Sequence, residues 1–291
     1  MVFEQAYAKI NLSLDITGKR EDGYHEVRMV MQTVDLCDAL SFSKGKPGTG
    51  IVLRTDNEAL NTEQSEGKDN LVVKAARVLF EYVGKAEDVE INLSKHIPMA
   101  AGMAGGSADA AATFSGLNRL FEYKLSDDEL EKMAIRVGAD VPFCIRGGLD
   151  LCEGIGEVLT PLKALGNVYV TVCKPDVDVA TGMVYKTYDS VEQPIHPDVE
   201  AMLKAISDGD AGKTAALMGN ALEPVTVGFY PVIKEIEEFM EAGGAIRSIM
   251  TGSGPTVFGL FKSARDADMM AAALKGKYPG YSVHRTCFFN M

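Results

Sequence analysis

The chain has 291 residues, 46% hydrophobic and 24% charged, with a formal net charge of −12; this is a globular composition with core enough for two domains. The acidic excess argues against a nucleic-acid or anionic-membrane partner, and the uncharged run Ile97 to Ala108 is too short and glycine-rich to span a bilayer. Five cysteines without a C-x-x-C pair read as free thiols of a reducing cytosol, no His/Cys cluster suits zinc, and with Glu4 early and no basic stretch no secretory signal is expected.

Residues 2–16 alternate, with Ile10, Leu12 and Leu14 on one face and Lys9, Asn11, Ser13 and Asp15 on the other, which predicts a half-buried strand with those polar residues outward. Glu21-Asp22-Gly23 is a turn signal, and His25 to Ser43 reads as one or two strands. Lys44 to Lys68 is a hairpin or loop region around Ile51-Val52-Leu53. Asn70 to Val83 is an amphipathic helix with Leu71, Val72, Ala75, Val78, Leu79 and Tyr82 inward and Gly84 ending it. Asp88 to Leu93 is a strand, and Ser107 is the expected N-cap of a helix to Leu120. A second helix starts at Ser126.

Beyond Gly138, Pro142 is expected to keep Val141 extended and so to place Asp140 at a defined corner. A strand at 168–173 precedes helices near 180–189, 197–207, 210–221 and 231–242. Strands at 245–250 and 256–261, a helix at 264–275 and a strand at 281–288 complete a β-α-β-β-α-β order once the helical insert is collapsed, which is ferredoxin-like. Thr160-Pro161-Leu162 interrupts the pattern and divides the chain into domains 1–160 and 161–291.

The most informative segment runs from Pro98 through Met99, Ala100, Ala101, Gly102, Met103, Ala104, Gly105 and Gly106 to Ser107. Small residues let backbone N–H groups approach a ligand, and a helix starting here adds unpaired amides and a positive dipole end, a seat for phosphate. A tight turn with a capping Ser is the plainer alternative. A P-loop is ruled out because Gly106 is followed by Ser, and the Gly-Lys-Thr at Gly212 has Ser207 at the first glycine position. G-x-G-x-x-G fails at both Gly252-Ser253-Gly254 and Gly154-Ile155-Gly156. The negative net charge means that any phosphate site must be corrected locally by Lys, Arg, amide dipoles or a metal ion.

Three segments together resemble the GHMP small-molecule kinases: Ala6 to Leu12, Pro98 to Ala111, and Thr251-Gly252-Ser253-Gly254-Pro255-Thr256-Val257-Phe258. Gly23-Tyr24-His25, Gly138 to Phe143 and Glu153 to Glu157 are similar to the branch that acts on a diphosphocytidyl methylerythritol. The resemblance implies a two-domain α+β GHMP kinase fold, with an N-terminal ribosomal-protein-S5-like α/β domain and a C-terminal ferredoxin-like domain. It also implies a cytoplasmic enzyme, monomer or homodimer, that uses ATP with Mg²⁺ to phosphorylate a hydroxyl of that small molecule, the metal having no dedicated protein site. Other enzymes of the family (homoserine, mevalonate or phosphomevalonate kinase) and a non-catalytic nucleotide sensor are the alternatives.

On this resemblance Lys9 and Asp140 are the catalytic pair and residues 98–107 hold ATP. Tyr24 stacks on the cytosine, His25 bonds its edge, and Tyr185 covers the opposite face unless it is simply a core residue of its helix. Asn11 either bonds substrate or Asp140, or is a surface position. Lys95 at the loop mouth is a further phosphate contact, and Asp109 in the first helical turn complements the dipole. Ala104 departs from the usual glycine of this loop and would be strained if its φ were positive.

Overall fold

The structure, a computed structural model, describes residues 1–57, 60 and 70–290. In chain order come β1 (Val2–Lys19), β2 (His25–Lys44), β3 (Ile51–Thr55), α1 (Leu71–Val83), β4 (Val89–Ser94), α2 (Gly105–Leu120), α3 (Asp127–Ala134) and α4 (Val141–Arg146). Then follow β5 (Leu149–Glu153), β6 (Val158–Pro161), β7 (Tyr169–Lys174), α5 (Thr181–Tyr188), α6 (Val199–Ser207), α7 (Ala211–Ala216), β8 (Gly219–Asn220) and α8 (Glu223–Phe229). The last elements are α9 (Val232–Ala242), β9 (Arg247–Met250), β10 (Val257–Phe261), α10 (Ala264–Lys277) and β11 (Ser282–Cys287). Of the loop expected over 44–68, residues 58, 59 and 61–68 lie outside the described residues.

The chain forms two compact units. The first comprises Met1–Ala8, Leu36–Ile97 and Ala104–Gly147. Its strands are ordered β3-β4-β2-β1, with β3 parallel and β2 antiparallel to β4. Helix α2 lies so close to this sheet that a Cβ on Gly116 would stand 2.4 Å from the Phe42 ring. Phe42, Leu79, Ile91, Phe114 and Phe143 are fully buried there, and their removal from water is the main stabilising term. Asn70 caps α1 by accepting from Val72 N–H, and Gly84 ends it in the left-handed conformation; Tyr82, expected inside, is 53% exposed. Ser126 and Glu129 form a full capping box on α3.

The second unit comprises Lys9–Asp35, Pro98–Met103 and Gly148–Met291. It holds the run β6-β5-β2-β1-β8 and an antiparallel sheet ordered β11-β7-β10-β9, which with α9 and α10 realises the ferredoxin-like order. The helix expected over 210–221 ends at Ala216; Gly219 and Asn220 then pair in parallel with Ser13 and Leu14 of β1.

Three further expectations are corrected. β1 is buried on both faces: Lys9 is 4% exposed, and Asn11 and Ser13 are 0% exposed. Ser107 is not a cap, because α2 begins two residues earlier with Ala104 at the N-cap (φ 56°) and makes no side-chain cap bond. Val141 is not extended but opens α4, with Pro142 in its first turn, where a missing N–H leaves no helical bond broken.

Candidate active site

Within the second unit, three segments far apart in sequence meet around the carbonyl of Gly102. Lys9 Nζ donates to Gly102 O at 3.4 Å and to Asn11 Oδ1 at 2.7 Å. Thr251 Oγ1 shares its single hydroxyl proton between Gly102 O at 3.4 Å and Asn11 Oδ1 at 3.3 Å, and accepts the Asn11 N–H at 3.0 Å. The Lys9 N–H bonds Met103 O at 3.1 Å, fastening the loop to β1. A buried ammonium is costly unless hydrogen-bonded, and the two oxygens supply that here. The cluster also explains why β1 carries polar residues inside.

The approach is possible only with glycine. Gly102 has φ 68°, and a Cβ on it would sit 2.4 Å from Thr251 O; one on Gly252 (φ 60°) would sit 2.9 Å from Gly102 O. The Gly252-Ser253-Gly254 turn between β9 and β10 is pinned in turn by Asn220 Nδ2, which donates to Met250 O (2.9 Å) and Gly252 O (2.8 Å). Ser253 Oγ lies 2.8 Å from Thr181 Oγ1.

In residues 98–103 the side chains of Ala101 and Met103 are buried, Met99 is 42% exposed and Ala100 has φ 49°. With Ala101 and Met103 turned inward, the backbone and the Met99 side chain are the parts of this loop that can meet a ligand.

Within the first unit, Ala104 starts α2 and its carbonyl receives the first helical bond, from Ala108 N–H at 2.8 Å. Helix geometry therefore leaves the amides of Gly105, Gly106 and Ser107 without intrahelical partners, at the positive end of the dipole. The Gly138-to-Asp140 corner packs beside this end: a Cβ on Gly138 would be 3.9 Å from Ser107 Oγ. Asp140 is the N-cap residue of α4, half-buried and making no cap bond. Asp109 is the fifth residue of α2 and is bonded to Lys95, so neither takes the place expected for it.

A second cluster lies in the second unit. His25 Nε2 and Asp189 Oδ1 are 2.6 Å apart, and Lys19 Nζ bonds the other oxygen at 2.6 Å. The hydrogen bonds from Lys19 and then from His25 hold the Asp189 carboxyl below its ordinary range. Tyr185, one turn before Asp189 on α5, is half-buried with its ring 5.0 Å from that of His25. Tyr24 is 61% exposed, an open ring face next to His25 in sequence. Tyr24, His25, Tyr185 and Asp189 could therefore receive a flat, polar-edged group.

Sequence reasoning missed Thr251, Asn220 and Asp189. Thr251 stood at the head of a recognised motif without a role, and Asp189 was marked only by its four-residue spacing from Tyr185, which puts both on one helix face.

The family pattern described as GHMP kinases N terminal domain matches residues 70–148, and that described as GHMP kinases C terminal matches 202–280. The chain is 44% identical to a 4-diphosphocytidyl-2-C-methyl-D-erythritol kinase of Caldicellulosiruptor bescii, over 93% of each chain. It is 42% identical to the kinase of that name from Clostridium novyi, over 98% of this chain and 100% of that one. A crystal structure of a 4-(cytidine 5'-diphospho)-2C-methyl-D-erythritol kinase superposes with a TM-score of 0.81 at 31% identity, covering 99% of this chain and 100% of the other. A homoserine kinase from Cytophaga hutchinsonii shares the fold at 19% identity, with a TM-score of 0.79 over 99% of this chain and 94% of its own.

Proposed function

Because the chain belongs to the GHMP kinases, with 4-diphosphocytidyl-2-C-methyl-D-erythritol kinases as relatives along nearly its whole length, we propose that it phosphorylates that diphosphocytidyl alcohol. ATP is the donor, the 2-hydroxyl of the methylerythritol is the acceptor, and the step belongs to non-mevalonate isoprenoid precursor synthesis. In this reading residues 1–160 carry the phosphate loop and 161–291 form the second domain. The observation that carries it is the meeting of three distant family motifs at Gly102.

Phosphoryl transfer passes through a loose transition state, so positioning and charge stabilisation supply most of the rate. The amides of residues 102–107 cradle the triphosphate. Asp140 orients the acceptor hydroxyl and takes its proton late. Lys9 balances that carboxylate and the charge spread over the transferring group, while Asn11 and Thr251 keep its ammonium aimed. Mg²⁺ bound with the nucleotide would supply neutralisation of the phosphate charge. The Ser107 hydroxyl, in the first turn of α2, would help phosphate oxygens hold it.

Tyr24 and Tyr185 sandwich the cytosine and His25 reads its edge; stacking is worth roughly 1–3 kcal/mol per base, enough to separate a cytidyl alcohol from a plain one. We place the enzyme in the cytosol as a monomer or homodimer. Its five cysteines are free thiols, and among the described residues no helix is long and apolar enough to cross a membrane.

The test is turnover of purified protein with ATP, Mg²⁺ and a panel of alcohols. ADP release dependent on the diphosphocytidyl alcohol is expected. Turnover on homoserine or mevalonate alone would overturn the assignment, and no turnover on any alcohol despite tight nucleotide binding would favour a sensor.

A further inference from the structure

We propose that Asp38, Lys95 and Asp109 form a buried ionic clasp that closes the two ends of the glycine loop onto β2, and that they are positioning residues for the nucleotide phosphates. This rests on the loop being the phosphate seat. All three residues lie in the first unit. Asp38 on β2 is fully buried; its Oδ1 accepts the Ile97 N–H at 2.8 Å and the His96 N–H, gripping the chain just before the loop. Its Oδ2 accepts from Lys95 Nζ. The same ammonium donates to Asp109 Oδ2 on α2 at 2.7 Å, gripping the chain just after the loop.

The two ends also touch directly. A Cβ on Gly105, the first residue of α2, would stand 3.0 Å from Ile97 Cγ2 and 3.4 Å from Lys95 Nζ. Residues 98–103 run between these pinned ends, with Gly102 and Met103 fastened in their own unit by Lys9 and Thr251. The span contains left-handed backbone at Ala100 (φ 49°), Gly102 (φ 68°) and, at its close, Ala104 (φ 56°). Non-glycine residues persist in that region only where their surroundings over-determine them, and the clasp supplies such a constraint at each end.

Stability is a poor reason for this arrangement. Two carboxylates share one ammonium, the Lys95 and Asp109 side chains are only 6% and 5% exposed, and Asp109 Oδ1 is buried without a hydrogen-bond partner. Buried ion pairs seldom outperform apolar packing energetically, whereas their directional bonds fix geometry. Burial accordingly pushes the Asp109 carboxyl up, to about 7, against the pull of Lys95. Asp38 and Asp109 together raise Lys95 above its ordinary value despite its burial.

The experiment compares wild type, Lys95→Met, and Asp109→Asn as the milder variant if Lys95→Met does not fold. ADP binding is followed by calorimetry, together with KM for ATP and KM for the acceptor alcohol, well below each variant's Tm. The expected result for Asp109→Asn is about a tenfold weaker Kd for ADP and KM for ATP, with acceptor KM and kcat within about twofold, a tenfold change being 1.4 kcal/mol. Unchanged ADP affinity in a folded variant with lowered Tm would overturn the clasp, leaving the three residues merely structural. A parallel loss in both KM values and kcat would overturn it equally. Failure of wild type itself to bind ADP would instead sink the phosphate-loop reading, and is seen before any variant is compared.

Discussion

Lys9 Nζ and Asn11 Oδ1, two residues apart on one face of β1, are joined by a buried 2.7 Å hydrogen bond. The bond fixes the ammonium against the strand, and Thr251 Oγ1 fixes Asn11 from the other side at 3.3 Å. Lys9→Met keeps the aliphatic stem and removes only the charge. It is expected to lower kcat roughly 100- to 1000-fold, the usual loss for one preorganised charge-stabilising donor, with KM for ATP little changed. Steady-state kinetics beside a circular dichroism melt checks this, and near-normal kcat removes Lys9 from the chemistry.

Asp189 holds His25 by a 2.6 Å bond to Nε2. An ionised carboxylate can only accept, so Nε2 carries the proton and the other ring nitrogen faces away from Asp189. Asp189→Ala frees the ring. KM for the cytidyl acceptor is expected to rise about tenfold, or 1.4 kcal/mol, while kcat and KM for ATP hold. A rise in KM for ATP instead would detach His25 from the acceptor site.

Ala104 and Gly102 make opposite predictions. Ala104 sits at φ 56°, a conformation costing an L-residue roughly 1–2 kcal/mol. Ala104→Gly should recover part of this, about 0.5–1 kcal/mol after the extra freedom of the unfolded glycine, raising Tm without changing KM for ATP. Gly102→Ala should abolish tight ATP binding, since its Cβ would meet Thr251 O at 2.4 Å. Differential scanning fluorimetry with and without ATP reads both, and a tolerated Gly102→Ala would contradict the close approach.

Glu237 on α9 makes stability depend on pH. Burial first, then the neighbouring Glu223, pushes its carboxyl up from 4.5 to about 8, against Lys234 bonded at 3.2 Å. Between those values the folded chain binds the extra proton, so this group makes stability fall as pH rises from 4.5 toward 8. Glu237→Gln should flatten that slope and raise Tm at pH 8, at about 2–4 °C per kcal/mol for large domains. Melts from pH 5 to 8 test it; a slope as steep in the variant as in wild type would assign the dependence to other groups.

The ferredoxin-like half was legible in the sequence because its strands and helices repeat local periodicities that need no distant partner. Helix α1 was legible for the same reason, down to its Asn70 cap. β1 misled because alternation reports a solvent face only when nothing covers it, and here Thr251 and Gly102, distant in sequence, cover Lys9 and Asn11. Ser107 misled because capping preference competes with tertiary contact: Gly105 can start the helix early, tight against Ile97. The loop and its motif partners were visible as residue types. The clasp beneath them was not, since Asp38 carries no local pattern and acquires its role only when β2 passes the loop's ends.

The most direct measurement is a structure with a non-hydrolysable ATP analogue and the diphosphocytidyl alcohol both bound. Phosphate oxygens are expected on the amides of residues 102–107, with Asp140 within hydrogen-bond reach, roughly 2.6–3.2 Å, of the acceptor hydroxyl and the Lys9 ammonium beside them. A triphosphate seated elsewhere, or an acceptor hydroxyl out of reach of Asp140, would contradict this arrangement.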